Sequence, residues 1–426
     1  IAYQFPNALY YPLMISAENF TFEKTQPGEK RREDVAKLKG IIHSPLKEKF
    51  MFELRRLTNP EHLLTDWLEQ TVTLFQSKIR DKKKIMALFE DLRALILDIS
   101  NPRVGSITKA FVETFSHNLE TLRRQTGQDL ANMTKAEFNG KILKPIRGEI
   151  LGKQYPKSDT DLLKSYSPWL HSFQASDHEE KIDIPGQYAG LDAKQTITIV
   201  RFNPRVLVMS SLRKPKKLCI LGSDEREYQF LVKGGEDLRL DQRIQQLFAL
   251  MNDIMRKDPQ CSQQDISIST YKVIPMSSSL GIIEWVDNTQ PLRICIEGEL
   301  SNRDVWKRIQ KQHKDFVWSF KGEVMGYHNL YIQASRDKVI GHMESLHTQL
   351  REDLLRESVL RSAASPEAFF MLRAKLIRSL AAVNVCSYVL GIGDRHLDNL
   401  LLDMSKGQLI PIDFGHSFGS ATETLA

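Results

Sequence analysis

The sequence predicts an α+β chain in which a helical N-terminal part precedes an antiparallel sheet and a second helical region. Three observations carry this. Apolar residues recur at three- and four-residue spacings through residues 45–125. Short β-rich runs broken by Pro, Gly and charge fill residues 196–232. Beyond residue 345 the helical spacing returns and lasts to Gly391.

Taken in order, residues 1–40 combine aromatic and apolar positions (Tyr3, Phe5, Leu9, Tyr10, Tyr11, Leu13, Ile15) with a polar stretch at Thr25-Gln26-Pro27-Gly28, and read as the tail of a helical array. A short helix is expected over 47–57. Leu63, Leu64, Trp67, Leu68, Val72 and Phe75 follow Asn59-Pro60, a helix start. Ile85, Leu88, Phe89, Leu92 and Ile96 form a second stripe, closed by Asn101-Pro102, and Phe111, Val112, Phe115, Leu119 and Leu122 form a third. Together these give a four-helix bundle over 45–125. Residues 126–195 are mixed, with loops around Ser167-Pro168-Trp169 and Ile184-Pro185-Gly186-Gln187, and read as a connecting segment. The runs 196–200, 206–209, 218–221 and 230–232 read as antiparallel strands. A helix over about 237–255 and a strand pair at 271–274 and 282–286 follow.

A length of 426 residues suggests two or three domains. Hydrophobic content of 41% and charged content of 26% are those of an ordinary globular protein. A net charge of +6 is too mild to argue nucleic-acid binding, and no nucleic-acid motif is present. Lys82-Lys83-Lys84 reads as a solvated face. Arg213-Lys214-Pro215-Lys216-Lys217 is read with a phosphate ligand in mind. Cys219, Cys261, Cys295 and Cys386 are widely spaced without a CxxC pair, so they read as reduced core thiols, neither a disulfide framework nor a zinc site. No apolar run approaches the ~18 residues that span a bilayer, so no membrane partner is expected. No internal repeat is found. Ile1 is not an initiator Met, and Ala426 follows closely on the motif described next, so a piece of a longer chain is expected.

Gly391-Ile392-Gly393-Asp394-Arg395-His396-Leu397-Asp398-Asn399 is followed, 14 residues after Asn399, by Asp413-Phe414-Gly415. Phosphoryl transfer from ATP needs a group to orient or deprotonate the attacking hydroxyl, oxygen ligands for Mg²⁺, and positive charge on the phosphoryl oxygens. Asp394 fits the first role. Asn399 and Asp413 fit the second, because hard cations take carboxylate and amide oxygens. His396 is placed to donate to the γ-phosphate as charge builds there. Apolar strands at 400–402 and 409–412 supply the setting. Upstream, Lys233 ends a strand just before Gly234-Gly235 and is the candidate phosphate contact. Its carboxylate partners are Glu236, Asp237 and Asp241 at the start of the next helix, where Asp237 and Asp241 would share a face. The hairpin 209–217 has no Gly, so hydroxyls, backbone amides and nearby cations would cover phosphates there.

Ordinary protein kinases write the catalytic loop His-Arg-Asp. Here it reads Asp394-Arg395-His396, and with Lys233-Gly234-Gly235-Glu236-Asp237-Leu238-Arg239 this resembles the phosphatidylinositol-3-kinase-related protein kinases over essentially the whole chain. The resemblance implies a bilobal kinase fold, with an antiparallel N-lobe and hinge at 196–286 and a truncated helical C-lobe at 287–426. It assigns 1–40 to the end of the family's FAT helical solenoid and 45–125 to its FRB four-helix insertion. It further implies that Ser211 lies in the phosphate-covering hairpin and that Lys233 contacts ATP phosphates, supported by Asp241 and Glu236. Ile283 would be the gatekeeper, followed by Glu284. Trp285 would stack on adenine, the Val286 backbone would bond its edge, and Leu401 and Ile412 would form the floor. ATP and Mg²⁺ are the implied cofactors and protein Ser/Thr residues, preferably before Gln, the implied substrates. A nuclear setting and activation at double-stranded DNA ends through the Ku heterodimer are implied for the branch that matches best. Two departures stand out: residue 398 is Asp where Ser or Asn is usual, and 287–345 match poorly. A target-of-rapamycin-like branch, a phosphoinositide lipid kinase and an inactive scaffold are the alternatives. The 426 residues alone are expected to be inactive.

Overall fold

The computed structural model describes residues 6–17, 22–23, 25–187, 196–300, 304–321 and 327–420. Tyr3 and Phe5, and everything after Ser420, lie outside the described residues. The chain divides into two compact units, Ile1–Gln242 with Lys272–Trp285, and Arg243–Tyr271 with Val286–Ala426.

The first unit opens on helices α1 (Pro6–Ala17), α2 (Gln26–Ile42), α3 (Pro45–Arg55), α4 (Pro60–Gln76) and α5 (Lys82–Leu92), the last extended by a π turn, Arg93–Leu97. Helices α6 (Ser106–Thr114) and α7 (Ser116–Arg123) follow. The starts are written in the sequence. Ser44 accepts from the Lys47 amide at 3.1 Å ahead of Pro45, and Asp81 accepts from the Lys84 amide at 3.0 Å. The stripe read as one helix through Phe111 and Leu122 is two, broken at Phe115. Thr114 Oγ1 donates to the Ala110 carbonyl at 2.7 Å, the back-bonding that bends a helix.

The region taken as a mixed connection is helical over most of its first half: α8 (Gly127–Asn132), α9 (Lys135–Phe138), a π turn (Asn139–Leu143) and α10 (Lys144–Glu149), with α11 (Pro168–Ser172) further on. It belongs to the core. Phe138 is fully buried and stacks on Phe75, ring centroids 4.5 Å apart.

Strands β1 (Ile199–Phe202), β2 (Leu207–Val208), β3 (Lys216–Gly222), β4 (Glu227–Gly234), β5 (Val273–Ser277) and β6 (Leu280–Glu284) form one antiparallel sheet in the order β1-β3-β4-β6-β5, with β2 paired to β3. The expected strands are present, but β3 and β4 run further than their apolar cores, through Lys216, Lys217 and Glu227, because ladder bonds do not depend on side-chain polarity. One cluster of buried side chains continues from Tyr10 through Phe50, Trp67 and Phe89 of the helices into Ile199, Phe230, Val232 and Ile282 of the sheet. Phe50 stacks on Phe202 at 5.8 Å within it.

The second unit holds α12 (Arg239–Lys257), whose first turn clusters with the first unit, and α13 (Pro259–Gln263). Strand β7 (Thr289–Pro291) leads into α14 (Leu292–Glu297), α15 (Asp304–Trp318), α16 (Tyr327–Gln333), α17 (Arg336–His347), α18 (Leu354–Ser362) and α19 (Pro366–Val389). Strands β8 (Leu400–Asp403) and β9 (Gln408–Pro411) then complete a sheet ordered β7-β8-β9. Ser365 caps α19, and Ser379 on that helix accepts from the Leu409 amide at 2.9 Å, which fixes β9 against it. Helix α12 begins at Arg239, two residues later than expected. Asp237 therefore precedes the helix, accepting from Arg239 Nε at 2.9 Å, and shares no helical face with Asp241.

Cys295 and Cys386 are buried, whereas Cys219 and Cys261 are only half-buried and so are not core thiols; all four are free. Among the described residues no helix is long and apolar enough to cross a membrane.

Candidate active site

In the second unit β8 and β9 pair in register Leu400↔Pro411 through Asp403↔Gln408, which brings the segment before β8 beside the segment after β9. Asp394 and Asp413 both have left-handed backbone, with φ of 53° and 60°. Such conformations cost on the order of 1–3 kcal/mol each, persist only where the surroundings impose them, and cluster at functional sites.

Arg395 imposes much of it. Its Nε donates to the Gly393 carbonyl at 2.8 Å, Nη1 to the Ile412 carbonyl at 2.8 Å and Nη2 to the Asp413 carbonyl. Its guanidinium also lies over the Phe414 ring, 5.4 Å from the centroid. Asn399 is the second tie. Its Nδ2 donates to the Asp394 carbonyl at 3.0 Å, and its own carbonyl accepts from the Ile412 amide at 3.0 Å. The Gly393 amide donates to the His416 carbonyl at 2.7 Å. Phe414 is fully buried and meets Phe248 of α12 edge to face at 5.6 Å. The expected residues Asp394, Asn399 and Asp413 thus share one hydrogen-bonded frame.

His396 keeps an exposed side chain. Its Nδ1 accepts from the Asp398 amide at 3.2 Å, and its carbonyl takes the Asn399 amide at 2.9 Å. The unusual Asp398 has a partner: Arg293 Nε donates to both its oxygens, at 2.8 and 2.9 Å, while Nη1 holds Glu297 at 2.9 Å.

With its amide nitrogen donated, Asn399 is left with Oδ1 as acceptor, and it is 6% exposed. Asp413 is exposed, and its Oδ1 accepts a long, weak bond from the Gly415 amide at 3.5 Å. Among the described residues no three or more His, Cys, Asp or Glu converge on a metal position. One amide and one carboxylate oxygen fit a hard cation that takes its remaining ligands from phosphate and water, as Mg²⁺ does. In the same unit the Val286 carbonyl accepts from Thr289 Oγ1 at 2.9 Å, Leu401 sits in β8 opposite Ile410, and Ile412 follows β9.

The remaining expected residues lie in the first unit. Lys233, next to last in β4, donates to Glu236 at 3.0 Å with its side chain 18% exposed. Asp241 is buried in the first turn of α12. Ile283 pairs with Leu231 and Val273 across the sheet. Glu284 caps the Lys272 amide through Oε2 at 2.9 Å, and the Trp285 amide continues the ladder to the Gln229 carbonyl at 2.9 Å. Ser211 is exposed in a hairpin closed by bonds from Met209 to the Pro215 carbonyl and from Lys214 to the Ser211 carbonyl, both 3.0 Å.

In the basic run at 213–217, where a phosphate ligand is expected, three of the four basic side chains meet protein partners. Arg213 bonds Asp66 of α4 at 2.9 Å, Lys216 is 1% exposed and donates to Asn59 at 2.6 Å, and Lys217 lies 4.3 Å over the Trp285 ring. Burial pulls the Lys216 ammonium down to about 7. The roles of Arg395 and Arg293 leave no mark in the sequence, because these two only hold other residues in place.

Residues 227–426 match the family model described as "Phosphatidylinositol 3- and 4-kinase". The whole chain is similar to the "DNA-dependent protein kinase catalytic subunit" of Dictyostelium discoideum, 37% identical over 449 residues. It is 31% identical over 422 residues, 97% of the chain, to the "Serine/threonine-protein kinase TOR" of Oryza sativa subsp. japonica. The chain spans about a tenth of the length of the first relative and 16% of the second. A solved structure described as "Structure of the open conformation of CtTel1" overlays 92% of the chain and 14% of its own with a TM-score of 0.50 at 21% identity, a likeness of fold.

Proposed function

From the premise that the chain belongs to the phosphatidylinositol 3- and 4-kinase family and has its α+β kinase fold, we propose that it is the catalytic part of a Mg-ATP-dependent serine/threonine protein kinase of the DNA-damage response. The observation that carries the reading is the frame in which Arg395 and Asn399 hold Asp394 and Asp413 in costly left-handed backbone.

In this proposal Asp394 accepts the proton of the attacking Ser or Thr hydroxyl, and His396 donates to the phosphoryl group as negative charge develops on it. Asn399 Oδ1 and the Asp413 carboxylate hold Mg²⁺, which when bound neutralises charge on the phosphate oxygens. Lys233, kept charged and aimed by Glu236, contacts the ATP phosphates, with Asp241 behind it. Ser211 belongs to the phosphate-covering hairpin. Ile283, Glu284, Trp285 and the Val286 backbone take the adenine, with Leu401 and Ile412 as its floor. Residues 1–40 and 45–125 are read as the end of a FAT region and an FRB-like bundle, and 126–195 as their connection to the kinase lobes.

The branch rests on 37% identity to the DNA-dependent kinase relative. It implies targets with Ser or Thr before Gln, a role in end joining of broken DNA, a nuclear location, and Ku and DNA ends as partners through other parts of a longer protein. A TOR-like kinase is the second reading, favoured by 31% identity over 97% of the chain.

Peptide phosphorylation by the full-length protein, with and without DNA ends, tests this. Wild type should phosphorylate a Ser-Gln peptide in a DNA-stimulated manner, and Asp413→Asn should not. Equal activity of the two proteins would sink the site assignment, and DNA-independent activity would favour the TOR-like reading. The 426 residues alone should show no turnover.

A further inference from the structure

Helix α4 carries two polar residues that both reach the hairpin between β2 and β3. Asn59 stands at its N-cap, and Asp66 lies seven residues on, two turns along the same face. Each takes one end of the hairpin's second arm. Arg213 Nη1 donates to both Asp66 oxygens, at 2.9 and 3.0 Å, and Lys216 Nζ donates to Asn59 Oδ1 at 2.6 Å. The residues in between are Lys214, with φ of 49°, and Pro215, so the arm has little freedom of its own.

The grip is braced from behind. Asn59 Nδ2 donates to Glu61 at 3.2 Å, and Glu61 is held in turn by the Tyr155 hydroxyl at 2.6 Å and Lys157 at 2.7 Å. It also adjoins Lys233. A small cleft is lined by Thr58, Arg213, Pro215, Lys233, Gly234 and Glu236. A Cβ on Gly235 would lie 2.2 Å from Asp66 Oδ2 and 2.3 Å from Arg213 Nη1, so the ion pair rests directly on the backbone two residues beyond the lysine. The Asp66 side chain is 13% exposed, which makes this a partly buried pair whose loss leaves an uncompensated charge.

We propose that Asp66 and Asn59 of the helical bundle are positioning residues for ATP: through Arg213 and Lys216 they latch the phosphate hairpin at a fixed height beside Lys233. This rests on the kinase reading above. A hairpin without glycine cannot close around phosphates by its own flexibility, so its placement is delegated to the helix it is tied to. The role is indirect, since neither Asp66 nor Asn59 needs to touch nucleotide.

The experiment is steady-state kinetics of the full-length kinase with ATP and peptide varied separately. Asp66→Asn and Arg213→Gln should each raise the KM for ATP five- to ten-fold and leave the peptide KM and kcat within two-fold. Arg213→Lys, which keeps a cation in reach of Asp66, should lie closer to wild type than Arg213→Gln. The reciprocal pair Asp66→Arg with Arg213→Asp should bring the ATP KM back to within two-fold. The latch is overturned if the single variants leave the ATP KM unchanged in an active enzyme, or if the reciprocal pair is as impaired as the two changes multiplied together. It is equally overturned if kcat and melting temperature fall while the ATP KM does not move, which is the mark of a merely structural pair. Should Asp66→Asn not fold, the comparison of Arg213→Lys with Arg213→Gln decides alone. A wild-type protein that phosphorylates nothing would refute the kinase reading instead.

Discussion

Gly234 ends β4 opposite Leu280, and the turn between α3 and α4 presses on it. A Cβ added there would lie 1.9 Å from Thr58 Oγ1, 3.1 Å from Thr58 Cβ and 3.3 Å from its Cγ2. Thr58 is 7% exposed and its amide is bonded to the Arg55 carbonyl at 3.0 Å, so neither its side chain nor its backbone has room to give. Strand β4 is bonded on both sides, to β3 and β6. Overpacking of this kind typically costs ~1–3 kcal/mol. With both partners anchored, Gly234→Ala should fall at the upper end, about 3 kcal/mol. For a folding unit of this size each kcal/mol shifts the melting temperature by ~2–4 °C, so a fall of about 6–12 °C is expected. Thr58→Ala deletes the clashing hydroxyl. In that background Gly234→Ala should cost at least ~1.5 kcal/mol less, a coupling that thermal melting of the four proteins in a double-mutant cycle resolves. A melting temperature within about 1 °C of wild type for Gly234→Ala, or the same loss with and without Thr58, would refute the packing argument.

Two further outcomes are expected. Burial places the Lys216 ammonium at about 7 in the folded chain against an ordinary 10.5. Across that window the unfolded chain binds a proton the folded chain does not, so stability rises with pH between those values and the gain is lost as pH falls towards 7. Lys216→Met should flatten the rise, seen in urea melts between pH 7.5 and 10, and an unchanged slope would count against it. Arg395→Lys removes the fork that joins the carbonyls of Gly393, Ile412 and Asp413. It should lower kcat about 100-fold, because the frame that fixes Asp394 and Asp413 loosens. Wild-type turnover by this variant would show that the frame is held by something else.

What the sequence revealed followed from local physics. Pro60 and the stripe Leu64, Trp67, Leu68, Phe75 give α4, since an N1 proline and a 3.6-residue period need no distant partner. The shared frame of Asp394, Asn399 and Asp413 is legible because their spacing brackets two short apolar strands that pair as a hairpin. Residues 126–150 carry no clear helical period, because the helices there have only four to six residues and glycines lie among them. A signal was available: Thr126 with Asp129 and Thr134 with Glu137 each form a capping box. The Asp66–Arg213 pair spans 147 residues of sequence, and no local pattern joins two charges so far apart.

The left-handed backbone of Asp394 and Asp413 bears on how the proposed catalytic centre can be lost in evolution. Most replacements at either position delete the carboxylate and strain the chain together, because few side chains other than Asn, Asp and Gly tolerate that conformation. Asparagine alone keeps the shape and the backbone while removing the charge, and the Asp and Asn codons differ by one base. On the kinase reading, a silent copy that preserves the architecture intact, fit to act as a competitor or a scaffold, therefore lies one point mutation away from the active gene. Asp-to-Asn changes at residues 394 and 413 are where a survey of inherited variants should look for it.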